Sequence, residues 1–397
     1  MVNPSQAPAD PSHASPRAPR MHGGWLARGV EGRFSVYVPR DGEVLRWTEG
    51  PDRRFDGPAV LGGGGLLPFL AAAQGPDRYV HLIGLRHTGT AAESGEPHVE
   101  LVHSVQFQTG RPNVEWKSIG HSNGKAEWCG NPALAVDGQG RAHVFVRNRG
   151  GGVSARVQKD AGGWHPWWDL KGGRTDRNPV AAVNGAGLVE LYTSSDRGLL
   201  RYAQAEPGAR PVVEPLVQTS VVPGTLTAVT GASGQVTAYY VDGSGRICAW
   251  SPGRGLPPTP FASAAGTGPL TAGRCLIDGY DCTLLAQCDG QGGAALAAYL
   301  TEREDTGLYW TPSGPPVLGP PTLTADAGGA AVVAALAADG GVIVTRQTAE
   351  PGLALEPWKR LCAVRGGQPP VAGDFFAEAG ISASSRIAFH SREALGS

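Results

Sequence analysis

Between His81 and Trp168 the chain gathers the side chains that could do chemistry. Seven of its 10 histidines fall there: His81, His87, His98, His103, His121, His143 and His165. The part from His121 onward is denser still, with Asn123, Glu127, Trp128, Arg147, Asn148, Arg149, Trp164, Trp167 and Trp168. Two kinds of chemistry use that mixture. A pyranose needs an apolar platform under its C–H face and amide, carboxylate or guanidinium groups around its hydroxyls. The candidates for that role are Trp128, Trp164, Trp168, His121, Asn123, Glu127, Arg147 and Asn148. Acid–base catalysis needs a titratable group aimed at a reacting proton. His81, His121, His143 and Glu127 are the candidates for it.

Other chemistries lack their spacing. No HxH, HxxxH or HExxH pair occurs, so no metal centre is expected. There is no P-loop, no GxSxG elbow, and no GxGxxG after a strand; the Gly62–Gly65 run precedes no helix. No cofactor is therefore expected. Ser194-Ser195-Asp196-Arg197-Gly198 and Asp305-Thr306-Gly307-Leu308-Tyr309-Trp310 approach the turns of sialidase propellers. The first lacks the Trp and the second the Ser, so both read as hairpin turns.

The stretch Asn131 to Gly173 shows what must position these groups. It reads as four short strands: an apolar run to Val136, Arg141 to Arg147, Val153 to Gln158, and Trp164 to Leu170. Alternation with period two, bounded by Gly and Asp, marks strands joined by tight hairpins. The unit repeats. Gly140, Gly187 and Gly234 each precede a strand at equal steps of 47 residues, and Asn131-Pro132 recurs as Asn178-Pro179. Four strands per repeat at this period predict the blades of an all-β propeller.

Extended along the chain, the pattern gives seven blades near residues 21–62, 66–120, 131–173, 178–218, 224–262, 274–318 and 322–361. An insertion near Gly266 to Tyr280 delays the sixth. Strands at 371–390 are expected to help close the ring and so remove exposed edges; an eighth blade is the alternative if they form their own unit. Residues 1–20, rich in Pro, Ala and Ser, read as a disordered leader with no signal-peptide core.

Composition agrees. The 397 residues include 59 Gly and 33 Pro, suited to a turn-rich all-β fold, and a net charge of −1 gives no basis for nucleic-acid binding. No run approaches the roughly 18–20 apolar residues of a membrane span. The six cysteines form no CxxC pair and read as structural thiols, consistent with a cytoplasmic protein. Nothing in the sequence specifies an oligomeric state.

The run from Asn131 through Gly-Gly-Trp164-His165-Pro166-Trp167-Trp168-Asp169-Leu170 resembles the repeat of bacterial seven-bladed propeller lectins of the PLL type, with fungal tectonin-like propellers as more distant cousins. The resemblance is clearest over Asn131 to Gln218. It implies sites for fucose or related sugars between successive blades. The closing-strand Trp persists as Trp116, Trp167 and Trp358, yet blades 4 and 5 carry Glu-Pro-Leu-Val-Gln and Pro-Phe-Ala-Ser-Ala instead. Blades this divergent cannot all keep one pocket.

Two readings follow. One is a binding module with one or two retained sites near blades 2 and 3, for a sugar or a glycosylated small molecule. The other is a tailoring enzyme (cyclase, lyase or hydrolase) with a single axial site using His and carboxylate groups. The three closing-strand tryptophans read as packing. For Trp128 and Trp164, beside glycines, packing and binding are both open.

Overall fold

Second strands of the repeats are the most apolar segments, and they explain the architecture. In the computed structural model, which describes residues 20–90, 97–123, 130–361 and 386–387, strands such as Phe34–Arg40, Ala142–Arg147, Val236–Val241 and Ala331–Leu336 are buried along nearly their whole length. Strict alternation is expected of a strand with one wet face. It is lost here because the neighbouring blades cover both faces of each sheet.

Seven antiparallel sheets of four principal strands form the ring of a β-propeller. Blade 1 is Leu26–Arg28, Phe34–Arg40, Glu43–Glu49 and Phe55–Val60; blade 2 is Leu66–Gln74, Val80–Thr90, Pro97–Gln106 and Lys117–Gly120. Blade 3 is Ala133–Val136, Ala142–Arg147, Val153–Val157 and Trp168–Asp169. Blades 4, 5 and 6 begin at Val180–Val183, Thr227–Thr230 and Leu270–Ile277, and blade 7 runs from Thr322–Ala325 to Lys359–Arg360. Leu270–Ile277 falls in the stretch read as an insertion. It is the inner strand of blade 6, joined to Tyr280–Cys288 by a tight turn at Asp278-Gly279. Gly273, Arg274 and Cys275 had interrupted its apolar pattern.

The 47-residue glycine spacing has a packing cause. Gly138 N–H donates to Gly187 O at 2.9 Å, and Gly185 N–H to Gly234 O at 2.7 Å, tying the inner turns of blades 3, 4 and 5 together. A Cβ on Gly138 would lie 2.9 Å from Gly187 Cα, and one on Gly185 2.7 Å from Gly234 Cα. Only glycine lets the backbones meet so closely.

A second recurrence links strands within blades. The side-chain oxygens of Glu49, Gln158, Gln204 and Gln347, near third-strand ends, accept from the backbone N–H of Phe34, Ala142, Val189 and Ala331. Each satisfies a buried second-strand donor.

The ring closes where blade 7 meets blade 1: Val332, Ala334 and Leu336 share one apolar cluster with Phe34, Val36 and Val38. Near the N-terminus, Arg20–Gly23 adds a parallel strand to the inner edge of blade 2. Of the expected C-terminal strands only Arg386–Ile387 is described, paired with Leu353–Ala354. Residues 1–19 of the expected leader lie outside the described residues, and Arg20 begins the strand added to blade 2.

Candidate functional site

Strand parity sorts the aromatic and histidine cluster. Successive side chains on a strand point to opposite faces, so adjacent Trp167 and Trp168 serve different junctions. Trp167, with Trp164, packs on the core shared by blades 2 and 3; Trp168 packs on the core shared by blades 3 and 4, beside His165 at a ring separation of 5.7 Å.

The blade 2–3 junction holds His81, His103, His121, Trp164 and Trp167. Deepest are His81 and His103, buried side by side with Nδ1 and Nε2 3.1 Å apart, and Trp164 stands edge-on to His103 at 5.1 Å. Burial lowers the His81 pKa to about 4, against an opposing effect of Asp77. Burial, reinforced by His81, lowers that of His103 to about 3. At neutral pH both rings are uncharged, so one donates and the other accepts.

Further out, Arg156 spans the junction. Its guanidinium donates to the carbonyls of His165, at 2.9 Å, and of Ile119 at the end of blade 2, and lies 5.8 Å from the Trp167 ring centre. His121 faces the same indole at 6.2 Å, and its Nδ1 accepts from Asn123 N–H at 3.2 Å. Burial lowers the His121 pKa to about 4. Trp167 is only half-buried. The result is an indole held between a cation and a neutral imidazole at the surface of the junction, with Asn123 alongside.

The remaining candidates lie elsewhere. His143 is fully buried on the blade 4 side, its Nε2 3.0 Å from Asp137 Oδ2. Burial alone would raise the Asp137 pKa, but hydrogen bonds from His143 and from the backbone and side chain of Arg141 hold it well below the usual carboxylate range. Arg147 donates to Thr175 O at 2.9 Å on the link to blade 4, and Asn148 to Asp169 Oδ1 at 3.3 Å in the last strand of blade 3. Glu127 and Trp128 lie outside the described residues. Trp164 and His121 thus share one junction, while Trp168, Arg147, Asn148 and His143 do not join it. Arg156 was missed because its role depends on reaching a carbonyl 37 residues away.

The axis offers different chemistry. A channel of about 900 Å³ is lined by inner-strand residues such as Ala71, Ala135, Ala181, Thr227 and Thr271, with Asn131 and Asn178 among its polar groups. None of the described lining residues carries a titratable side chain. An axial acid–base site required His81, His121 and His143 to converge there. They do not: His81 and His143 point from their strands into the junctions between blades, and His121 follows the last strand of blade 2, facing Trp167.

No protein-family model matches the chain, and no curated protein does. Among solved structures, the BP39L lectin from Burkholderia pseudomallei superposes with a TM-score of 0.62 at 14% identity, over 86% of this chain and 99% of that one. The fucose-specific lectin from Aleuria aurantia gives 0.45 at 11% identity, over 87% and 95%. AofleA from Arthrobotrys oligospora gives 0.43 at 13%, over 75% and 96%. The chain is a seven-bladed β-propeller, a fold it shares with the BP39L lectin. Among the described residues, no helix is long and apolar enough to cross a membrane.

Proposed function

We propose that this protein is a carbohydrate-binding propeller with a retained site at the surface of the blade 2–3 junction. The observation that carries the reading is the half-buried indole of Trp167, flanked by Arg156 and His121. An indole supplies the apolar surface that a sugar's C–H face needs, and guanidinium, imidazole and amide groups beside it can hydrogen-bond hydroxyls. The fold shared with lectins supports a sugar or a glycosylated small molecule as the ligand. The divergence of blades 4 and 5 from the blade 3 repeat supports one or two sites rather than one at every junction.

The acid–base alternative loses its support on the axis. His81 and His103 are buried and committed to each other, and His143 to Asp137. Incubation of the purified protein on an array of neutral glycans tests the binding reading. Saturable binding to at least one glycan is expected, and its absence across the array contradicts the proposal.

A further inference from the structure

The inner turns of the blades repeat one geometry. In blades 1, 3, 4, 5 and 7 the turn closes through the backbone N–H of Gly32, Gly140, Gly187, Gly234 and Gly329, each with φ between 77° and 88°. Blade 2 makes the same hydrogen bond, from Arg78 N–H to Gly75 O, but holds Arg78 at φ 66°. A side chain there is strained where five sister turns use glycine. The next residue departs as well. Tyr79 stands where those blades have Arg33, Arg141, Leu188, Gln235 and Ala330.

These two residues line a pocket of about 610 Å³ between the turns of blades 1 and 2, with Arg33, Phe107 and Arg111 among its walls. Tyr79 and Phe107 meet edge to face at 4.8 Å and remain 36% and 50% exposed, so their contact does not bury them as a core would. The pocket's carboxylates are engaged: Glu31 pairs with Arg33 at 2.9 Å, and Asp77 accepts from Tyr79 N–H at 2.9 Å. Among the described residues, Arg78 and Arg111 have no carboxylate partner. An exposed aromatic pair beside unneutralised guanidinium groups matches a ring with an attached anion, because Arg pairs with carboxylates through parallel N–H donors.

We propose that this pocket binds an acidic sugar, its carboxylate on Arg78 and Arg111 and its ring face on Tyr79 and Phe107. The choice of a sugar ring rests on the carbohydrate reading above; the choice of an anion rests on the pocket alone. Strain at Arg78 is then the cost of placing a cation where the repeat calls for glycine.

Calorimetric titration with glucuronate, and with glucose as the neutral match, tests this in the full chain. Glucuronate is expected to bind, glucose not to, and Tyr79→Ala and Arg111→Ala each to weaken glucuronate at least tenfold. Arg78→Gly is expected to weaken it similarly while raising Tm, since it relieves the left-handed turn. The exposure of Tyr79 and Arg111 lets their variants fold, which unchanged Tm values would verify. Absence of glucuronate binding, or binding that survives Tyr79→Ala or Arg111→Ala, overturns the proposal. Failure here is separable from failure of the blade 2–3 site: neutral-glycan binding without glucuronate binding sinks only this pocket, and the converse sinks only the blade 2–3 site.

Discussion

Arg346 of the last blade donates from Nη2 to Glu49 Oε1 of the first at 2.6 Å, and the other oxygen of Glu49 accepts from Phe34 N–H at 3.1 Å. The Arg346 guanidinium also lies 4.9 Å from the Phe34 ring centre. Both partners are nearly buried, with side chains 14% and 4% exposed. An ion pair therefore sits at the seam where the two ends of the repeat array meet.

Removing one partner should open that seam. Arg346→Ala leaves the Glu49 carboxylate buried and uncompensated, a loss of about 3–5 kcal/mol. Denaturant unfolding should show a lower midpoint for Arg346→Ala than for the Arg346→Met, Glu49→Gln double variant. Equal midpoints would mean that a Glu49 carboxylate left without Arg346 carries no penalty at the seam.

Turn contacts between blades set a second expectation. A Cβ on Gly185 would stand 2.7 Å from Gly234 Cα, a backbone atom of the neighbouring packed turn. Gly185→Ala should lower stability by roughly 1–3 kcal/mol, as overpacking does. Gly173→Ala, with nothing within 4 Å of its Cβ, is the matched control. Thermal melts that shift both variants equally would refute the contact as the cause.

The neutral histidines make stability depend on pH. The folded pKa values of His81 and His121 are lowered to about 4, from an ordinary 6.5. A histidine depressed in this way binds more protons unfolded than folded between those values. The contribution of His81 and His121 is therefore full above about pH 6.5, falls as pH drops and is lost by about pH 4, while that of His103 goes on falling to about pH 3. Each pH unit in that window costs about 1.4 kcal/mol per histidine. Melting His81→Gln across this range should give a shallower fall than the parent chain. An unchanged slope would mean that His81 titrates normally.

Much of this architecture was legible because a blade is a local unit. The equal steps of Gly140, Gly187 and Gly234 reported the inner turns of blades 3, 4 and 5, whose backbone contacts between neighbouring blades leave no room for a side chain. The partners of functional side chains were less legible. Trp167 and Trp168 are neighbours in sequence, yet parity sends them to different junctions. Arg156 acts on the Ile119 carbonyl, a contact set by blade packing and invisible in local spacing. His81 and His143 occupy the same repeat position, but one meets His103 and the other Asp137. The pattern located their position; the residue opposite each determined its role.

Carbohydrate binding at the blade 2–3 junction is tested most directly by calorimetry of parent and Trp167→Ala with a neutral glycan that the parent binds. Trp167 is half-buried, so unfolding of the variant must be measured alongside. Loss of the aromatic contact is expected to cost about 0.5–1.5 kcal/mol or more in binding, several-fold or greater in affinity, in a variant that still unfolds cooperatively. Unchanged affinity in a folded Trp167→Ala variant would place carbohydrate binding somewhere other than the blade 2–3 junction.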